Sequence, residues 1–332
     1  MKFLKLISTP LVAAGLALAV TASPVSAKTY RFATNVSADG NAGLQIQQFV
    51  DAVKDRTEGR VEFELFINGQ LGDQLQYFQQ IQRGVVDAGL VNSAALENII
   101  PAFGVVNLPY VFRTSEEYGS VMTDDRVREA LFNAAEKHKF WPLGFLSSGF
   151  RSIYTTMPLE SFEDLKGKKL RTMSSPTYIE MLKLFGAVPT PLPFGEVYSG
   201  MQQGIVDGAE GGLAGLYSAK FGEVAKYALE TNQTRLSDFI VTSIRFKESL
   251  SEEDHQAVVE EFEKISLASI VFADENEASD LQKAVDEMGV TVIKMDTAPF
   301  IEAVSPMYEA ALNDADKKEL IETIFEIENR EF

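Results

Sequence analysis

Strand and helix signals alternate along this chain from Lys28 onward, and an alternation of that kind folds in few ways, with helices covering a mostly parallel sheet. Tyr30 and Phe32 alternate in a first strand that ends at Asn35, Leu44 to Arg56 has helical spacing stopped by Gly59, and Val61, Phe63 and Leu65 face one way in a second strand. Asn68-Gly69 is a turn, Leu75 to Arg83 a helix closed by Gly84, and Val85 to Val91 a buried strand. In α/β sheets of this type ligands bind beyond the carboxyl ends of the strands.

The same unit is heard twice. QIQRGVVDAG at Gln80–Gly89 returns as GMQQGIVDGA at Gly200–Ala209: a helix tail, a glycine cap, a short Val/Ile strand and an aspartate. With alternation on both sides of it, the echo predicts two similar lobes, and a cleft between α/β lobes is a usual place for a small ligand. Asp87 and Asp207 are read as structural, capping turns or binding backbone amides. Between the echoes, Ser115 to Lys139 is helical, Trp141 to Leu146 is a strand crossing to the second lobe, and Ser161 with Asp164 forms a capping box. Farther on, Ser251 with Asp254 caps a long helix to about Met288, its buried side carrying Val258, Phe262, Ile265 and Ile270. Thr291 to Lys294 is a strand, and Phe300–Ala311 and Lys317–Glu328 are terminal helices. The expected division is 28–148 with 237–276 in lobe I, and 149–236 with 277–332 in lobe II.

The first 27 residues read as a signal peptide: Lys2 and Lys5 form a basic start, Leu11 to Val20 is apolar, and Val25-Ser26-Ala27 is a cleavage site. The apolar run is shorter than the roughly 20 residues that span a bilayer, so the expectation is export to the periplasm as a soluble, monomeric protein. Cysteine is absent, which rules out disulfides, thiolate catalysis and cysteine metal sites, and leaves stability to packing. The formal charge of −18 becomes −20 once Lys2 and Lys5 are removed with the signal. Such a balance disfavours nucleic acid and anionic membranes as partners.

Against that acidity, two arginines between Gly149 and Gly212 stand out. Arg151 in GFRSIYTT and Arg171 in DLKGKKLRTMSSP fall on short strands. Side chains alternate along a strand, so Leu170 and Arg171 cannot both enter one core, and the arginine faces water or a cleft. Ser174, Ser175 and Pro176 follow at once, with Ser175 as N-cap and Pro176 at the first position of a helix that runs to Phe185 and stops at Gly186. Helix N-termini attract anions, and an arginine fork beside one suits a carboxylate. Pro189, Pro191 and Pro193 then hold an extended segment, followed by Phe194 and a helix around Glu196 to Gln203.

NGQLGD, GFRSIYTT, EDLKGKKLR and FGEVYSGMQQGIVDGAE, in that order, resemble the solute-binding subunits of tripartite ATP-independent periplasmic (TRAP) transporters, a family that includes dicarboxylate and sialic-acid binders. The resemblance spans nearly the whole mature chain. It implies a two-lobe periplasmic binding protein fold, α/β in class, with a long helix bridging the lobes. It implies that Arg171 makes a bidentate bond to a ligand carboxylate and that Arg151 is a second anion contact. By the same resemblance Asn35 and Asn92 contribute polar contacts, Phe194 packs either on the ligand or in the core, Glu210 lies by the cleft, and Asp73 in GQLGD is a weaker match that a turn explains as well. Several sugar-acid binders carry Asn directly after the element that here reads DGAE. This chain has Gly211 and Gly212 there, so a roomier or more flexible site is expected.

Catalytic sets are missing from the inventory. His138 and His255 sit in charged helical surroundings and are expected to be solvated, and the chain has no G-x-S-x-G, H-E-x-x-H, GxGxxG after a strand, or Walker loop. Near the proposed site the carboxylates are Glu196, Asp207 and Glu210, the only candidates for a glycosidase pair. The sequence therefore predicts a binding protein without cofactor or metal that captures a small organic anion, a carboxylate, sugar acid or sulfonate, and delivers it to TRAP membrane permease subunits. The alternatives are a periplasmic hydrolase of a sugar acid and the binding subunit of an ATP-driven importer.

Overall fold

The computed structural model describes residues 28–330; the expected signal peptide, 1–27, lies outside them. Among the described residues nine strands form one mixed sheet: β1 (Lys28–Ala33), β2 (Val61–Phe66), β3 (Ala88–Asn92), β4 (Phe140–Thr155), β5 (Lys169–Thr172), β6 (Val188–Pro191), β7 (Gly208–Gly212), β8 (Tyr227–Ser243) and β9 (Thr291–Lys294). Their order is β2-β1-β3-β8-β4-β7-β5-β6, with β9 pairing β8. At the first end β1 runs parallel to β2 and β3; at the other, β5 runs parallel to β6 and β7. Each parallel set is one lobe.

The pair β4 and β8, antiparallel along its length, belongs to both lobes. Phe140–Ser147 registers with Ser237–Ser243 beside β3, and Phe150–Thr155 with Tyr227–Arg235 beside β7. The expected strand Trp141–Leu146 and the strand carrying Arg151 are therefore one element of 16 residues. Register slips between Ser147 and Phe150, where Gly149 takes a φ of 82° that a side chain resists. That bulge let the two halves read as separate strands.

The echoed segments do the same local work. Asp87 accepts from the Arg31 amide at 2.8 Å and returns its own amide to the Arg31 carbonyl at 3.1 Å; Asp207 does both with Lys169, at 2.8 Å each. Each aspartate thus ties the start of its strand to the neighbouring strand.

The long helix spans Glu252–Met288, capped by the Ser251 side chain and ended by Gly289 at a φ of 68°. Val258 and Phe262 are buried as expected, with Phe262 edge-on to Phe49 at 5.3 Å, whereas Ile265 and Ile270 are only partly covered. Ser266, Ser269 and Ala273 fill the middle instead. Small residues let the helix come close to β4: Ser266 Oγ donates to the Phe145 carbonyl at 2.6 Å, and Ser269 Oγ accepts from the Ser147 amide at 2.9 Å. At its far end Ala284 joins the second-lobe core with Phe221 and Val290.

The region expected as one helix over Ser115–Lys139 breaks at Asp124, which is extended and caps Asp125–Phe132. The C-terminal helices bridge rather than belong to lobe II alone. Phe300 packs on Phe162 and Phe185, with centroids 4.9 and 5.0 Å apart, while Tyr308 donates to the Pro109 carbonyl at 2.6 Å and Arg330 to the Val111 carbonyl at 2.6 Å. Those last two partners precede β4.

Candidate functional site

Between the lobes lies a cleft of about 280 Å³, near the lower limit for small-molecule sites. Of the residues expected there, Asn35, Asp73, Asn92, Arg151, Arg171, Ser174, Phe194 and Gly211 all line it. Glu196 and Glu210 do not.

On β5, Leu170 points into the core and Arg171 into the cleft, as strand alternation requires. Arg171 is only 4% exposed. Its Nε donates to the Leu192 carbonyl at 2.9 Å, which fixes the plane of the fork, and it makes no ion pair among the described residues. Burial depresses its pKa, with Arg151 pushing the same way and Glu210 and Tyr154 opposing. A desolvated guanidinium with free terminal nitrogens is costly until a carboxylate meets it.

Arg151 is spent differently. Its Nε and Nη2 reach Glu210 Oε2 at 2.8 and 2.7 Å, Nη2 also donates to the Glu210 carbonyl at 3.1 Å, and Glu210 Oε1 accepts from Thr172 Oγ1 at 2.9 Å. Glu210 is completely buried. Burial by itself would lower the Arg151 pKa, but the Glu210 charge and hydrogen bonds outweigh it, and the pKa is raised. Glu210 is thus a counter-ion beneath the cleft, not a group facing a ligand. Glu196 is exposed in the short turn Phe194–Glu196, outside the cleft. Phe194, 36% exposed and 5.5 Å from the Phe221 ring, sits on the rim rather than in the core.

The helix Pro176–Leu184 has the expected N-cap, Ser175, and Pro176 in its first turn. Its anion site is already filled by the protein. Glu97 accepts from Ser175 Oγ at 2.6 Å, from Thr177 N at 3.1 Å, from Thr177 Oγ1 at 2.6 Å and from Asn107 Nδ2 at 3.1 Å. A lone carboxylate in the apolar run SAALENII was the available signal for this, since buried acids need partners.

On the facing wall Asn92 caps Ser93–Leu96, accepting from the Ala95 amide at 2.8 Å, and its Nδ2 lies 3.4 Å from the Met173 sulfur across the cleft. Asp73 forms a capping box with Gln76, so its helix-capping duty is met without a ligand. Asn35 is half-buried at the end of β1. Tyr154, inside GFRSIYTT, lines the cleft although the motif assigned it no role, and Ser148 and Asp238 line it from outside every quoted motif. Asp238 is 6% exposed and accepts a short hydrogen bond from Ser148 Oγ. Burial raises its pKa to about 6, against the pull of Ser148 and Arg151.

The room expected at Gly211 is taken. A Cβ there would lie 3.0 Å from Tyr154 Oη, so Tyr154 occupies that space; at Gly212 the nearest atom would be 3.7 Å away. His255 also departs from expectation: it stacks on Trp141 at 4.7 Å rather than standing in solvent.

A profile of the family described as DctP, bacterial extracellular solute-binding protein, family 7, matches residues 32–314. The chain is 38% identical to the uncharacterized protein YiiZ of Salmonella typhimurium over 79% of this chain and 80% of that one. It is similar to a TRAP periplasmic solute-binding protein of Xanthobacter autotrophicus solved with β-D-galacturonate: TM-score 0.84, 32% identity, 89% of this chain and 98% of that one. It is also similar to one from Anaerococcus prevotii solved with D-glucuronate, with TM-score 0.86, 31% identity, and coverage of 91% and 98%.

Proposed function

Because this chain belongs to family 7 of the bacterial extracellular solute-binding proteins, the DctP family, and serves a TRAP transporter by capturing a small organic anion, we propose that its ligand is a hexuronate-type sugar acid held by Arg171. The observation that carries this reading is the buried Arg171 fork, left without an acid partner among the described residues in a cleft whose opposite wall presents Asn35 and Asn92. A carboxylate satisfies the guanidinium, and hydroxyls satisfy the amides. The solved neighbours with glucuronate and galacturonate support the same class.

Ligand contacts to both lobes stabilise the closed arrangement over the open one, and the β4/β8 pair with the long helix supplies the flexing connection. The protein works in the periplasm and hands its ligand unaltered to the permease subunits. Among the described residues no helix is long and apolar enough to cross a membrane.

Calorimetry against D-glucuronate, D-galacturonate, succinate, N-acetylneuraminate and a sulfonate tests the reading. A uronate should bind best and be recovered intact. Saturation by succinate with no response to either uronate overturns the ligand class, and recovery of a chemically altered uronate overturns the binding role.

A further inference from the structure

We infer that Asp238 is the specificity-determining group of the cleft, accepting hydrogen bonds from the hydroxyls of a sugar acid and turning away dicarboxylates; this rests on the sugar-acid reading above. Asp238 stands on β8 in register with Asn92 of β3 and Leu146 of β4, on the first-lobe part of the sheet. It lines the same cleft as Arg151 and Arg171, which come from the second lobe.

The carboxylate is nearly out of solvent, yet it makes no ion pair among the described residues. Ser148 Oγ donates to Oδ2, and Oδ1 has no donor among the described residues. Ser148 lies at the β4 register slip, so the bulge that joins the two halves of the strand also delivers the hydroxyl that orients Asp238. A buried acceptor with one oxygen uncommitted needs a donor from whatever enters the cleft. The cleft is therefore polarised, with guanidinium on one wall and carboxylate on the other. A molecule with an anion at one end and hydroxyls at the other matches it. A second carboxylate placed against Asp238 meets a like charge in a desolvated site, and a hydroxyl-free chain leaves Oδ1 unpaired; both are the penalties by which sites built for hydroxyls discriminate. At neutral pH, above the value of about 6 to which burial raises it, Asp238 is mainly in the accepting form.

The test compares D-glucuronate with adipate, a six-carbon dicarboxylate without hydroxyls, by calorimetry on wild type, Asp238→Asn and Ser148→Ala, with a thermal melt of each ligand-free protein. Wild type should prefer glucuronate. Asp238→Asn, which keeps the volume and removes the charge, should weaken glucuronate roughly 10- to 100-fold and adipate not at all, shrinking the preference by at least tenfold. Ser148→Ala, which only frees the carboxylate to turn, should shrink it in the same direction by less, and decides the matter if Asp238→Asn does not fold. Equal weakening of both ligands, or an unchanged preference in the folded variants, overturns the role of Asp238 while wild-type uronate binding leaves the proposed function standing. A wild type that takes adipate and refuses glucuronate overturns both.

Discussion

Replacing Arg171 with lysine asks whether the cleft needs a positive charge or a planar fork. Arg171 is 4% exposed, its plane is set by the 2.9 Å bond from Nε to the Leu192 carbonyl, and no acid pairs with it among the described residues. A lysine keeps the charge but loses the Leu192 bond and one of two parallel bonds to a ligand carboxylate. A hydrogen bond to a charged group contributes about 1.5–3 kcal/mol, and removing one partner of a buried charge pair costs about 2–5 kcal/mol. With the charge retained, the lower half of that range applies. About 2–3 kcal/mol corresponds to a dissociation constant roughly 30- to 150-fold weaker. Arg151→Lys removes bonds to Glu210 at 2.7 and 2.8 Å, so its loss should fall on stability, with ligand affinity reduced less than roughly tenfold. Titration calorimetry with the tightest-binding uronate, and melting of the ligand-free proteins, separates the two effects. If Arg171→Lys binds within threefold of wild type, or Arg151→Lys loses more affinity than Arg171→Lys, the division of labour between the arginines is refuted.

Three further outcomes follow from the same geometry. Glu210→Gln leaves the buried Arg151 cation without its counter-charge and should destabilise the protein by about 3 kcal/mol in urea unfolding; a loss below about 1 kcal/mol means that water or another group compensates. Gly211→Asn must displace Tyr154 and should lower the melting temperature, whereas Gly212→Asn makes only ordinary contacts, 3.7 and 3.8 Å from the Phe150 and Ser148 carbonyls, and should change ligand preference with little loss of stability; the reverse order contradicts the placement of Tyr154. Burial of Glu277 beside Gly149 raises its pKa from 4.5 to about 8, against the pull of Arg235. The folded state then holds this proton more tightly than the unfolded chain, so its stabilising contribution is complete below the unfolded pKa and disappears as pH rises through about 8. The limit set by the shift is about 5 kcal/mol, and with the partial exposure of Glu277 roughly 1–2 kcal/mol is expected between pH 5.5 and 8. Glu277→Gln should flatten that slope in urea midpoints measured at the two pH values, and an unchanged slope assigns it to other groups.

Local chemistry in the sequence was enough for the features that depend on neighbours along the chain. Ser175 and Pro176 open their helix, Ser251 and Gly289 bound the long one, and Leu170 and Arg171 part to opposite faces, because caps, proline geometry and strand alternation act within a few residues. The echoed Asp87 and Asp207 tie amides as read, and eight of the residues expected from the sequence, both arginines among them, do line the cleft. Tertiary structure alone decided which charge meets which. Glu97 reaches Ser175 across a separation of 78 residues, and Glu210 meets Arg151 across 59, so the helix N-terminus and one of the two arginines are already neutralised by the protein. Strand pairing through the Gly149 bulge made one crossing element of two apparent strands and brought Ser148 to Asp238. Such pairings depend on which distant groups are excluded from water together, and that is a property of the packed sheet rather than of any stretch of chain. The sequence placed two cations at the site; the fold left Arg171 as the one without an acid among the described residues.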